Sequence, residues 1–262
     1  MFSSSILALL MTISSATFSS GLTGLAGGLH TSCMTLVLRS QSFGGVFIAA
    51  VVIVLINFPT KLNTIAQGFF NLALLFNVVA FASLVYMVNS KYVRQYVNLC
   101  STKSSPESEP LLPPLTEKKR SLLDIMRRIK TQLLIILIVF TITISCFPVL
   151  TDLIVSVGGG GVNDGGGTWE KTFFVPTCCF LGFTLGDFVG RVLLYLLPNQ
   201  PISPMGALTL SILRLVFLPL FLLCNLAPFD RHLTPVIFHS DAVFIVLIIV
   251  FGVSNGFLCR YI

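Results

Sequence analysis

The stretch FFVPTCCFLGFTLGDFVGRVLLYLL, residues 173–197, has the apolar character of a membrane-spanning helix but carries two charged side chains. These are Asp187 and Arg191, four residues apart, so a helix places them on one face within pairing distance. An ionisable group at bilayer depth is costly and usually faces a bundle interior or a water-filled cavity. Two interpretations follow: a structural ion pair that lowers the cost of insertion, or a polar site for a solute that crosses the membrane.

The composition of the whole chain supports a membrane protein. Hydrophobic residues make up 55% of it and charged residues 10%, with a mean hydropathy of +0.94, whereas soluble domains carry about 25% charged residues. A helical span needs about 20 apolar residues, and an open segment can satisfy its backbone groups in a bilayer only as a helix. We therefore predict an all-α polytopic membrane protein with about seven transmembrane helices. The candidate spans are 6–28, 43–58, 65–88, 131–150, 173–197, 205–226 and 242–258.

The charges between the third and fourth spans predict the topology. Segment 89–130 carries nine basic residues against four acidic ones, and the basic residues cluster near the adjoining spans, which places the segment in the cytoplasm. Its middle is rich in Ser, Pro and Glu and is predicted to be disordered. A solvated tether is the plainer interpretation, although its basic groups also suit contact with anionic lipid heads. The chain then divides into 1–88 with three helices, the loop 89–130, and 131–262 with four helices, with the N-terminus outside and the C-terminus inside.

The sequence lacks the patterns of catalytic and cofactor sites. Asp187 is the only acidic residue deep in a predicted span, so neither an aspartate dyad nor a paired-carboxylate cleft is available. The seven cysteines show no metal-ligand spacing. We therefore expect no enzyme, no metal, no cofactor and no nucleic-acid polymer as partner.

Two further features of the spans bear on packing. Ser20, Gly24 and Gly28 follow one another at a spacing of four, which favours close approach of another helix. Arg214 is a second deep charge, and three roles are open for it: capping carbonyl groups, snorkelling to the interface, or joining the Asp187 site.

The stretch PTCCFLGFTLGDFVGR, residues 176–191, resembles the signature of the equilibrative nucleoside transporters, in which a Phe is followed by an Asp and then by Gly-Arg. The matching residues are Phe183, Asp187, Gly190 and Arg191. The flanking segments agree as well: FTITISCFPVLT at 140–151, GTWEK at 167–171, LRLVFLPLFLLCN at 213–225, SNGF at 254–257 and GLAG at 24–27.

The resemblance implies a major-facilitator-like bundle of eleven transmembrane helices, with a large cytoplasmic loop between the sixth and the seventh. Segment 89–130 fits that loop, so the predicted spans correspond to helices four to ten. The chain is then expected to be an incomplete form that does not transport alone. The orientation derived from the loop charges agrees with this register. The expected location is the plasma membrane.

For function, the resemblance implies facilitative, equilibrative transport of purine or pyrimidine nucleosides by alternating access. Asp187 would accept and Arg191 would donate hydrogen bonds to the ribose hydroxyls. Ser19 stands where several members have a Gln implied in nucleobase contact. The signature Phe183, and Thr184 directly after it, where members often have Asn, are the other expected substrate-binding residues. Two other classes stay open: a non-transporting membrane subunit, and a seven-helix receptor, for which the spans lack the usual receptor motifs.

Overall fold

The chain is all-α in the residues that the computed structural model describes, which are 2–29, 31–58, 62–91, 93–95, 122–159, 167, 169–196, 203–226 and 236–259. Within these ranges the extended structure is limited to an isolated antiparallel bridge between Ile154 and Leu226. The predicted fold class is therefore confirmed. The Gly-rich residues 160–166, His30 and the middle of the predicted loop, 96–121, lie outside the described residues.

The α-helices differ widely in length, from over six turns to less than two. They are α1 (Phe2–Leu29), α2 (Thr31–Ile56), α3 (Leu62–Asn89), α4 (Leu122–Cys146), α5 (Gly182–Leu196), α6 (Pro204–Leu213), α7 (Phe217–Leu222) and α8 (Asp241–Leu258). Wide π-helical turns at Trp169–Phe173 and Val175–Leu181 lead into α5, and a 3₁₀ turn at Arg214–Val216 joins α6 to α7. Pro176 lies within the second π-helical stretch, and Pro219 lies three residues after the 3₁₀ turn. Neither proline can donate a backbone hydrogen bond to the preceding turn.

Five helical stretches of the described residues are long and apolar enough to cross a bilayer. They are Cys33–Ile56, Gln67–Asn89, Ile129–Leu153, Pro204–Leu222 and Asp241–Leu258. The predicted spans 6–28 and 173–197 are helical as well, the second over its described residues 173–196, but they are not among these five. The polytopic membrane architecture is confirmed, whereas the number of seven spans stays a prediction.

The chain separates into two compact units. One comprises Met1–Gln41 and Ala80–Ser108, and the other comprises Ser42–Val79 and Glu109–Ile262. In the first unit, hydroxyl groups of α1 donate to carbonyl oxygens one turn earlier, as Thr17 does to Ile13 at 2.8 Å. Such internal bonds let hydroxyl side chains stay in an apolar setting. The predicted division into 1–88, 89–130 and 131–262 stays a prediction.

In the second unit, α5 and α8 approach each other closely because glycines line both contacting faces. Gly186 and Gly190 of α5 lie against Gly252 and Gly256 of α8. A Cβ on Gly186 would lie 2.5 Å from the carbonyl oxygen of Ile249, and a Cβ on any of the other three would also overlap backbone atoms of the facing helix. A spacing of four keeps the glycines on one face, so the two backbones touch over more than one turn.

The close packing expected in α1 is not observed at Gly24. Apart from the adjoining residues and the nearby backbone of α1 itself, no described atom lies within 4 Å of the position that a Cβ on Gly24 would take. Small residues at a spacing of four permit a close contact but do not supply the helix that makes it.

Gly186→Ala should destabilise the second unit, because its methyl group would force α5 away from the backbone of α8. Overpacking of this kind costs about 1–3 kcal/mol or more. Gly24→Ala is the matched control, and we expect it to be neutral or stabilising by up to about 1 kcal/mol, because Ala favours a helix interior over Gly. Thermal unfolding of the two detergent-solubilised variants checks the difference. Equal midpoints would contradict a backbone contact at Gly186.

Candidate functional site

Asp187 lies in the middle of α5 and is buried, with 7% of its surface exposed. Its carboxylate accepts three side-chain hydrogen bonds. Oδ2 accepts from Ser42 Oγ at 2.6 Å and from Arg191 Nε at 3.1 Å, and Oδ1 accepts from Asn255 Nδ2 at 2.8 Å. Because burying a charge is costly unless it is paired and hydrogen-bonded, these donors make a carboxylate tolerable at this position.

The Asp187–Arg191 pair has the geometry that the spacing of four predicts. The distance from Arg191 Nε to Asp187 Oδ2 is 3.1 Å, and the two side chains are 14% and 10% exposed. A guanidinium carries five N–H donors in a planar fork, and the pair uses one of them for Asp187. Both side chains keep a small exposed fraction, so the pair is not completely buried.

Arg214 is the second buried charge, in the 3₁₀ turn between α6 and α7, and it is 2% exposed. Its NH1 donates to Asn255 Oδ1 at 3.0 Å and its NH2 donates to Thr143 Oγ1 at 3.1 Å. The guanidinium carbon also lies 4.6 Å from the ring centre of Phe251, a cation–π distance. Of the three roles left open by the sequence, Arg214 therefore joins the Asp187 site, and it does so through Asn255.

Asn255 connects the two buried charges by the two ends of its amide. The nitrogen donates to the carboxylate of Asp187 and the oxygen accepts from the guanidinium of Arg214. The reverse orientation would place acceptor against acceptor and donor against donor, so the chemistry fixes the amide. The result is a continuous chain of hydrogen bonds from α2 through α5 and α8 to the 3₁₀ turn and, at Thr143, to α4.

The other predicted site residues of α5 have different surroundings. Phe183 is 7% exposed and stacks on Phe147 with ring centres 4.1 Å apart. Its ring also lies 5.7 Å from that of Phe251, so Phe183 belongs to the aromatic core beside the polar network. Thr184 is half-buried, and its hydroxyl lies 2.9 Å from the carbonyl oxygen of Phe180 in its own helix. The substrate contacts of Phe183 and Thr184 stay predictions.

Ser19 lies on α1, in the other compact unit. Its side chain is exposed, and its carbonyl oxygen accepts a hydrogen bond from the Thr23 hydroxyl at 2.7 Å. The implied contact of Ser19 with a nucleobase stays a prediction.

Three members of the polar network were missed by sequence reasoning: Ser42, Thr143 and Asn255. Asn255 carried a usable signal, because an amide inside so apolar a helix needs a partner. Ser42 and Thr143 carried none, since hydroxyls in such helices commonly bond to their own backbone. Ser40 does so on the same helix as Ser42, donating to Leu36 at 2.8 Å.

Sequence comparison identifies the family of the chain. A family model described as Nucleoside transporter matches residues 5–261. The chain belongs to the nucleoside transporter family. The resemblance found in residues 176–191 is thereby confirmed.

Several nucleoside transporters of mammals are similar to this member of the family. Equilibrative nucleoside transporter 2 of Homo sapiens is 28% identical over 285 residues, and the match covers 93% of this chain and 59% of that protein. Equilibrative nucleoside transporter 1 of Homo sapiens is 30% identical over 264 residues, covering 90% and 54%. Equilibrative nucleoside transporter 3 of Rattus norvegicus is 27% identical over 258 residues, covering 94% and 53%. The chain thus spans little more than half the length of these relatives.

Membership in the nucleoside transporter family bears on the alternatives that the sequence left open. The named relatives are transporters, not enzymes or receptors. The family and the apolar helices together make the chain an integral membrane protein. The transporter interpretation is therefore favoured over the seven-helix receptor.

Asn255→Leu should destabilise the protein, because it removes the amide that Asp187 and Arg214 share and leaves each of these buried charges one hydrogen bond short. A hydrogen bond to a charged group contributes about 1.5–3 kcal/mol, and Asn255 makes one to each charge. Ser254→Ala is the matched control, since the Ser254 hydroxyl bonds to Phe251 in its own helix at 2.7 Å. Thermal unfolding in detergent compares the two variants. An Asn255→Leu protein as stable as the control would argue against the amide as a link between the charges.

Proposed function

We propose that this protein carries nucleosides across a membrane by facilitated diffusion, with Asp187 and Arg191 binding the sugar hydroxyls. The observation that carries the proposal is a buried, incompletely sealed ion pair inside a membrane protein of the nucleoside transporter family. The named relatives are equilibrative nucleoside transporters. Because the chain spans little more than half of their length, we assign their transport activity to this chain as part of this proposal.

The chemistry of the ion pair suits a neutral solute with several hydroxyl groups. A sugar hydroxyl both donates and accepts, so it can donate to the Asp187 carboxylate while it accepts from the Arg191 guanidinium. Asp187 already accepts a hydrogen bond from a hydroxyl, that of Ser42, at 2.6 Å. A desolvated pair of this kind discriminates against an analogue that lacks the hydroxyl, because the protein groups are then left unpaired.

The packing of α5 supports a role as the fixed side of the transport site. Alternating access rocks helix groups around a central site. The backbone contact between α5 and α8, together with the Asp187–Asn255 hydrogen bond, joins these two helices into one stiff element. Asp187 and Arg191 would then keep their mutual geometry while other helices move.

The proposed setting is the plasma membrane. The N-terminus lies outside and segment 89–130 in the cytoplasm, where its basic groups meet water and lipid heads. Nucleosides and membrane lipids are the proposed partners, with no nucleic-acid polymer and no catalytic step.

Asp187→Asn and Arg191→Lys should each reduce nucleoside uptake by at least about tenfold, the value of one hydrogen bond to a charged group. Lys fails at this position because an ammonium cannot reproduce the planar guanidinium fork. Uptake of labelled adenosine or uridine, normalised to surface protein, is the measurement. Asp152→Asn is the control, since Asp152 is exposed in the 3₁₀ turn after α4.

Two outcomes of these uptake measurements would count against the substrate role. Normal uptake by either variant, at equal surface protein, would remove Asp187 and Arg191 from the substrate site. Loss of surface protein in step with uptake would favour the structural ion pair instead.

Uptake should not depend on a sodium or proton gradient. Asp187 is the only carboxylate that the described residues bury, so this part of the chain offers no series of acidic groups for a proton relay. Purified protein in liposomes, loaded with and without each ion gradient, provides the measurement. A collapse of nucleoside flux on dissipating either gradient would contradict equilibrative transport.

A further inference from the structure

The hydroxyl of Ser42 donates a hydrogen bond to the Asp187 carboxylate, the group to which a substrate hydroxyl would also donate. Ser42 lies in α2 and is 5% exposed, and its Oγ is 2.6 Å from Asp187 Oδ2. The bonds from Asn255 and Arg191 to the same carboxylate are longer, at 2.8 and 3.1 Å. An O–H···O⁻ bond of 2.5–2.7 Å is charge-assisted and roughly twice as strong as a neutral one. The shortest of these three bonds to Asp187 thus comes from a protein hydroxyl.

The two oxygens of Asp187 are not equally available to a ligand. Each carboxylate oxygen offers about two lone-pair directions. Those of Oδ2 are taken by Ser42 and Arg191, whereas Oδ1 accepts from Asn255. A ligand hydroxyl that bridges the carboxylate and the guanidinium has to bind at Oδ2, on the side of Arg191. Both acceptor directions of Oδ2 are occupied, and a ligand that displaces Ser42 rather than Arg191 leaves the ion pair intact.

The surroundings of Ser42 form a strip where α2 lies against α5. Phe43 meets Phe188 with ring centres 5.8 Å apart. At Gly45 the backbone of α2 comes near the Thr184 side chain, since a Cβ there would lie 3.3 Å from the Thr184 methyl group. Each of these contacts involves a side chain of α5, which can move away and return, unlike the backbone contact of α5 with α8. The Ser42 bond therefore lies at a boundary that can open without unfolding either helix.

We propose that Ser42 is a latch between α2 and α5. Its hydroxyl holds the two helices together at Asp187 until a ligand hydroxyl takes its place, and α2 is then free to separate from α5. This inference rests on the proposed function, because it takes the ligand to be a nucleoside bound at Asp187. It adds a specific event to alternating access: the ligand replaces one hydrogen bond that closes the site.

Because Ser42 and the ligand hydroxyl compete for Asp187 Oδ2, the proposal predicts whether removing the Ser42 hydroxyl raises or lowers the ligand affinity. Ser42→Ala removes the competing hydroxyl, so a ribonucleoside should bind more tightly, by at least about tenfold, the value of one hydrogen bond to a charged group. A 2′,3′-dideoxynucleoside cannot use the vacated acceptor, so its affinity should not change. A merely structural Ser42 would give the opposite pattern, with both ligands weakened together.

The test is equilibrium binding of labelled adenosine and 2′,3′-dideoxyadenosine to the purified full chain in detergent. Ser42→Ala is compared with Ser42→Cys, whose thiol keeps the volume but donates weakly. Ser40→Ala is the matched control, because Ser40 is exposed on the same helix and bonds to its own backbone. We expect tighter adenosine binding for both Ser42 variants, wild-type binding for the control, and unchanged dideoxyadenosine binding throughout.

Each of the other possible results shows whether the latch or the substrate role of Asp187 is wrong. Unchanged adenosine affinity in both Ser42 variants, or an equal change for both ligands, overturns the latch. Asp187→Asn in the same assay separates this failure from that of the proposed function. If Asp187→Asn abolishes binding while the Ser42 variants match the unchanged protein, only the latch is wrong. If Asp187→Asn binds adenosine as tightly as the unchanged chain does, the substrate role of Asp187 is wrong as well.

Discussion

A carboxylate buried among apolar helices must be surrounded by hydrogen-bond donors, and much of the second compact unit meets that requirement at Asp187. The donors come from α2, α5 and α8, and the amide of Asn255 extends the network to a second buried charge at Arg214. Inside a protein such bonds are stronger than in water, and an unpaired member costs correspondingly more. The polar network therefore restrains the position of every helix that contributes to it.

The glycine contact and the polar network depend on each other. Asp187 follows Gly186, and Asn255 precedes Gly256, so the residues that let the backbones touch are sequence neighbours of the residues that pair. Asn has a short side chain, and it reaches the carboxylate at 2.8 Å because α8 lies so near α5. Wider helix separation would open that bond and leave both buried charges without their shared partner.

Local patterns in the sequence were sufficient for the fold class and for the ion pair. Apolar runs identify membrane helices, and a spacing of four places Asp187 beside Arg191 in any helix. The partners from other helices were not predictable, because Ser42 and Asn255 lie 145 and 68 residues away along the chain. Small residues at a spacing of four occur in α1 as well as in α5, but such spacing identifies a face and does not say which helix packs on it. For the same reason, the sequence could not decide among the three possible roles of Arg214.

The charges joined by this network do not sum to zero. Asp187 contributes one negative charge, and Arg191 and Arg214 contribute two positive ones, with Arg214 almost fully removed from solvent. Two unit positive charges about 8 Å apart repel each other by roughly 2 kcal/mol at an effective dielectric constant of about 20. A cation that entered this region would be repelled by that amount, whereas a neutral solute with electron-rich oxygens would not. The second arginine thus gives the site an electrostatic preference that its hydrogen-bond geometry alone would not provide.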